Sequence, residues 1–115
     1  MAITEKQLQQ TIVAYFREQF SQYIIVSSLN GIKLTGTGKY STILEETRSG
    51  MLKGWPDLEI VLPDIVLYVE LKTPTGVQSQ AQKDVQAKLE SLNKKYYIVR
   101  TFQQFKELIN KHIEE

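Results

Sequence analysis

The chain has 115 residues, 42% of them hydrophobic and 23% charged, with a formal net charge of +1. That length fits a single domain over 1–115, large enough to bury about two-thirds of the surface its unfolded chain exposes. The balance excludes a disordered chain, the lack of cysteine excludes disulfides and thiolate metal sites, and no apolar run approaches the roughly 18 residues of a membrane span.

With no signal peptide visible, the expected location is a reducing cytoplasm. The near-neutral charge says little about partners, because an acidic site cancels part of a basic surface and local distribution outweighs the total.

In chain order, residues from Thr4 to Phe20 predict a helix. Thr4 is a good N-cap, and Leu8, Ile12, Tyr15, Phe16 and Phe20 recur on one face. Tyr23 to Ser27 predicts a strand, and its unbroken apolar run suggests cover on both faces. Asn30-Gly31 marks a turn. From Lys33 to Lys53 glycines and hydroxyl residues break any period, which suggests a mobile excursion, with Ser41 to Glu46 able to form a short helix. This loop carries Lys33, Lys39, Arg48 and Lys53, which suit either a phosphate backbone or bulk solvent. Its Gly36-Thr37-Gly38-Lys39 lacks the spacing of a P-loop.

Two β-branched, aromatic-rich runs follow, Leu58 to Leu62 and Ile65 to Leu71, separated by the turn dipeptide Pro63-Asp64, and they predict a hairpin. Side chains alternate along a strand, so Ile65, Leu67, Val69 and Leu71 share one face and Val66, Tyr68, Glu70 and Lys72 the other. Pro56 suits a strand's start and positions Asp57 there. Trp55 is expected to pack against the core. After Thr73-Pro74-Thr75-Gly76 a helical period resumes through Ala81, Val85, Leu89 and Leu92, with Ser79 and Gln82 at capping-box spacing. Asn93-Lys94-Lys95 ends it. Tyr96 to Arg100 predicts the last strand and Phe102 to Ile113 the last helix, with Phe102, Phe105, Leu108 and Ile109 inward. Arg100 is open between phosphate and carboxylate. His112, the only histidine, is expected on the surface, which leaves histidine-based hydrolysis unsupported.

The hairpin brings Asp57 towards Glu70 and Lys72. Two neighbouring carboxylates repel unless a cation separates them. Mg²⁺ favours hard oxygen ligands completed by water and phosphate. A lysine alongside can hold the attacking water or offset developing charge. The competing reading of the same residues is a solvated ion pair. The element order, helix, strand, loop, two strands, helix, strand, helix, predicts an α/β sandwich with a mixed central sheet flanked by helices, its strand–helix–strand unit a parallel crossover.

Pro56-Asp57 followed by Glu70-Leu71-Lys72 resembles the PD-(D/E)xK nuclease signature. The wider pattern Gly54-x-Pro56-Asp57-Leu58, Val69-Glu70-Leu71-Lys72 and Gly76-x-x-Ser79-x-x-Gln82, with Ile98-Val99-Arg100 and a closing helix, resembles the VRR-NUC branch over most of the chain. The resemblance implies a restriction-endonuclease-like core and a Mg²⁺- or Mn²⁺-dependent DNA endonuclease. It implies Asp57, Glu70 and the carbonyl of Leu71 as metal ligands, Lys72 acting on the water, and Gln82 pointing into the site. It also implies an acid from the first helix, where Glu5 is the candidate; a position at Gln9 instead would be a departure. Ser79 reads mainly as a cap beside the site. Similarity to Holliday-junction resolvases implies a homodimer acting on branched DNA. The alternative is a non-catalytic DNA-binding or assembly module that keeps the fold.

Overall fold

The structure is a computed structural model and describes residues 2–28, 50 and 52–113. The loop features expected at Asn30-Gly31 and over 33–49, with Lys33, Lys39 and Arg48, lie outside the described residues; Lys53 is exposed.

Helix α1 spans Glu5–Gln19. Thr4 caps it through a reciprocal capping box: the Gln7 N–H donates to Thr4 Oγ1 at 3.1 Å, and the Thr4 N–H donates to Gln7 Oε1 at 2.8 Å. Strands β1 (Ile24–Ser27), β2 (Leu58–Val61) and β3 (Val66–Leu71) follow, then helix α2 (Gln80–Ser91), strand β4 (Lys95–Val99) and helix α3 (Phe102–His112). The sheet runs β1-β2-β3-β4, antiparallel across the first two junctions and parallel between β3 and β4. This is the mixed α/β sandwich that the element order predicts. A parallel pair needs a crossover connection, and α2 supplies it.

The two faces of the sheet differ. Leu58, Ile60, Leu67, Val69, Leu71 and Val99 point to one side and join Leu8, Ile12 and Phe16 of α1 and Phe105 and Ile109 of α3 in a buried apolar core. Each fully buried side chain of this kind contributes about 1.5–3 kcal/mol relative to exposure. Edge-to-face contacts of Tyr15 with Phe102 and Phe105 bind α1 to α3 at the rim. The opposite face holds a smaller cluster. There Val85 and Leu89 of α2 cover Tyr96, with Trp55, Tyr68 and Ile98 partly buried around them.

Three expectations need correction. β1 is not covered on both faces: Ile25 is buried, but Ile24 and Val26 are 56% and 43% exposed. Among the described residues β1 ends the sheet, and α2 covers only the β3–β4 half of that face. Leu92 lies beyond α2 as its C-cap and is exposed, because the left-handed Asn93 (φ 61°) turns the chain away. His112 is half-buried rather than free on the surface: its ring packs edge-on to Tyr97, 3.2 Å from Nε2 to the phenol oxygen, with Nδ1 3.0 Å from the Leu108 carbonyl.

Candidate active site

Alternation along β3 places Glu70 on the smaller cluster's face, and α2 closes over it. The side chain is 1% exposed, although a carboxylate is among the groups least often buried. Register pairs Glu70 with Ile98 of β4. Lys72 lies one step past β3, yet its N–H still donates to the Val99 carbonyl at 3.1 Å, so the ladder holds it in strand geometry. Its Nζ stands 3.9 Å from Glu70 Oε2, an ion pair too long to be a hydrogen bond.

Asp57 precedes β2, and its backbone carbonyl accepts from the Ser28 N–H at 2.9 Å. The antiparallel register sets Leu58 against Val69, which carries Asp57 to the end of β3. There Asp57 Oδ2 accepts a 2.7 Å bond from the Leu71 N–H. The segment leading to Asp57 is held against α2 at Gly54. With φ +88°, that residue occupies the left-handed region, and a Cβ there would stand 2.5 Å from both the carbonyl carbon and oxygen of Ala81. Only glycine meets both demands.

Gln82 serves two ends at once. Its backbone N–H donates to Ser79 Oγ at 3.2 Å, and its Oε1 accepts from the Ser79 N–H at 2.9 Å, completing the cap of α2. The same side chain's Nε2 donates to Glu70 Oε2 at 2.6 Å. The capping and site roles therefore coexist in one amide, while Ser79 acts as the cap. Glu5 opens α1, exposed but close enough for its charge to reach Glu70 as the smallest of the influences on it. For Leu71 the observed bond is through its N–H.

Electrostatics separate this cluster from an ordinary ion pair. Burial pushes the Glu70 carboxyl up to about 8, with repulsion from Asp57 adding and attraction by Lys72 opposing. Burial also raises Asp57, opposed by its bond from Leu71, by Glu70 and by Lys72. Each carboxyl acts on the other, so in the protein alone protonation relieves their repulsion. Glu70 Oε1 is buried and accepts from no N–H or hydroxyl among the described residues, while the Glu70 and Asp57 carboxyls lie close enough to share a proton. Two buried carboxyls close enough to share one proton are a donor set that fits a hard divalent ion in that proton's place. Among the described residues no cluster of three or more His, Cys, Asp or Glu forms a metal cage. The described residues thus offer a pair of acids, a number that suits Mg²⁺ when other oxygen ligands supply the rest.

Among the described residues Arg100 bonds backbone carbonyls rather than a carboxylate: its Nη1 donates to Thr73 (2.8 Å), Gly76 (2.7 Å) and Pro74 (3.4 Å). Trp55 packs edge-on to Tyr68 and donates from its indole to Glu59 at 3.2 Å, in line with a packing role. One residue near the site has no sequence signal. The Tyr96 phenol is pushed up to about 12, by burial first and then by the Glu70 charge, and its oxygen accepts from Gln78 Nε2 at 3.1 Å. Only the register that pairs Tyr68 with Tyr96 reveals its place.

No family model matches the chain, and no curated protein matches it in sequence. Solved structures match its shape. One, described as a VRR_NUC domain protein, superposes at TM-score 0.77 with 20% identity, covering 99% of this chain and 91% of that one. Another, described as a VRR_NUC domain, gives TM-score 0.60 at 19% identity, over 96% and 100%. The first match covers nearly the whole chain. The chain has the fold of the VRR-NUC domain.

Proposed function

We propose that this chain is a metal-dependent DNA endonuclease, in which Asp57 and Glu70 hold Mg²⁺ or Mn²⁺ together with the Leu71 carbonyl, water and a substrate phosphate. The observation that carries the reading is Glu70. A carboxyl buried to 1% exposure beside a second acid and pushed up to about 8 opposes folding once it ionises. It is explained if a cation completes it in the working state.

When bound, the ion supplies Lewis-acid polarisation of the phosphate and a lowered pKa for the attacking water. The chain's residues do the rest. Gln82 fixes the Glu70 carboxylate through its 2.6 Å bond and so sets the direction of the other oxygen. The Leu71 N–H does the same for Asp57. Lys72 retains donor capacity beyond its long contact with Glu70, and it orients the water or helps remove its proton as the water attacks phosphorus. In-line displacement breaks the P–O3′ bond, leaving a 5′-phosphate on one fragment and a 3′-hydroxyl on the other. Branched DNA such as a four-way junction is the proposed substrate. A homodimer is the proposed form, since a two-fold axis lets two sites cut symmetrically.

The test is incubation with supercoiled plasmid and synthetic four-way junctions in Mg²⁺, Mn²⁺ or EDTA. Cutting is expected with either metal and not with EDTA. Lys72→Ala should lower the rate about 10²–10³-fold and leave junction binding nearly unchanged. No cutting of any substrate would instead make the chain a DNA-binding or assembly module, and a monomer by light scattering would count against junction resolution.

A further inference from the structure

Between Lys72 and the Ser79 cap of α2 the chain has no ladder to hold it. Two tethers do so. At one end Arg100 Nη1 gathers the carbonyls of Thr73, Pro74 and Gly76 around a turn that the Gly76 N–H closes on the Thr73 carbonyl at 3.1 Å. At the other end Gln78 Nε2 donates to Gln86 Oε1 at 3.0 Å and to the Tyr96 hydroxyl at 3.1 Å. Arg100 is itself anchored: it follows β4, and its N–H donates to Gln104 Oε1 of α3 at 2.7 Å. The two residues this connection joins, Lys72 and Gln82, converge on one atom, Glu70 Oε2, at 3.9 and 2.6 Å.

We propose that Arg100 is a positioning residue: by holding three turn carbonyls on its guanidinium it sets the length and direction of the Thr73–Gln78 connection, and so keeps Lys72 and Gln82 both aimed at Glu70. A charge-assisted donor is stronger than a neutral one, and Nη1 is committed to the turn's carbonyls. The α3 end of the sheet thereby reaches the site, since Arg100 links Gln104 to the turn. The consequence for rate rests on the nuclease reading; the consequence for geometry does not.

The experiment compares Arg100→Met and Arg100→Lys, alone and with Gln82→Ala, below the melting temperature of every variant. Arg100→Met is expected to lower kcat about 10- to 100-fold, with KM for DNA within about twofold, because a small misplacement acts on the reacting geometry. Arg100→Lys, whose ammonium also donates to carbonyls, should recover kcat to within about fivefold. In the Gln82→Ala background Arg100→Met should cost less than about threefold more, since both changes disturb one arrangement. Independently of cleavage, NMR should show faster hydrogen exchange at the Gln82 side-chain amide in Arg100→Met than in the parent. A raised KM at unchanged kcat would make Arg100 a DNA contact, a full additional loss in the double variant would make it independent of Gln82, and unchanged exchange would leave the connection standing without it; each overturns the proposal. If Arg100→Met does not fold, Arg100→Gln replaces it with the same outcomes. A parent protein that cuts nothing defeats the nuclease reading alone, and the exchange measurement still decides the tether.

Discussion

The two sides of β3 are built on opposite terms. Towards α1 and α3 the strand presents Leu67, Val69 and Leu71, buried among side chains with no polar atom to satisfy. Towards α2 it presents Tyr68 and Glu70, with Lys72 just beyond, and the buried charge there is incompletely matched. The first side favours folding at any pH. The second turns against folding as pH rises through about 8 and Glu70 ionises. A single six-residue strand thus separates stability from chemistry by the pleat alone.

Phe105→Ala should have the largest effect on stability. It removes a fully buried ring from the apolar side and is expected to lower unfolding free energy by about 3–5 kcal/mol, measured by urea titration. A loss much below that would mean the two sides are less distinct than their burial suggests. Gly54→Ala comes next, at about 1–3 kcal/mol, because its φ is positive and its Cβ would meet the Ala81 carbonyl. Part of that cost should appear as weakened Mn²⁺ affinity by calorimetry, since the shifted segment leads to Asp57.

Glu70→Gln should have the smallest effect, near zero in acid and growing in the variant's favour as pH rises. Glu70 is raised from 4.5 to about 8 in the folded protein, so the folded state binds the extra proton. Its contribution to stability is therefore fully present below about 4.5 and is lost as pH rises through about 8. Glu70→Gln removes that slope, so without metal the variant should gain on the parent as pH increases. Saturating Mn²⁺ should stabilise the parent increasingly at higher pH and leave the variant nearly unmoved, as thermal melts would record. A parent whose melting temperature ignores both pH and Mn²⁺ would erase the distinction.

How far the sequence carried the reading depended on whether the determinant was local. The hairpin was legible because Pro63-Asp64 and strict alternation both lie within the segment they describe, and the observed register matches the alternation residue by residue. The meeting of Asp57, Glu70 and Lys72 followed from it. The Ser79–Gln82 cap was legible from spacing and the inward aim of Gln82 from the family resemblance, but its partner, Glu70 Oε2, needed the packing of α2 over β3. Three features were not local. The exposure of Ile24 and Val26 depends on α2 packing over β3 and β4 and not reaching β1. The place of Tyr96 depends on the parallel register. The attachment of Arg100 to Thr73 and Gly76 spans 27 and 24 residues, and no charge pattern announces a cation whose partners are backbone carbonyls.

The doubly used amide at position 82 has a consequence for which residues that position tolerates. Glutamate would preserve the start of the helix, being an equally good N3 acceptor, yet it would aim another negative oxygen at Glu70. Asparagine offers both atom types on a shorter arm that spans neither gap. Alanine abandons both partners. Of the common side chains only glutamine is long enough and bears acceptor and donor on the same carbon, so the onset of a helix and the poise of a carboxylate are written in a single letter.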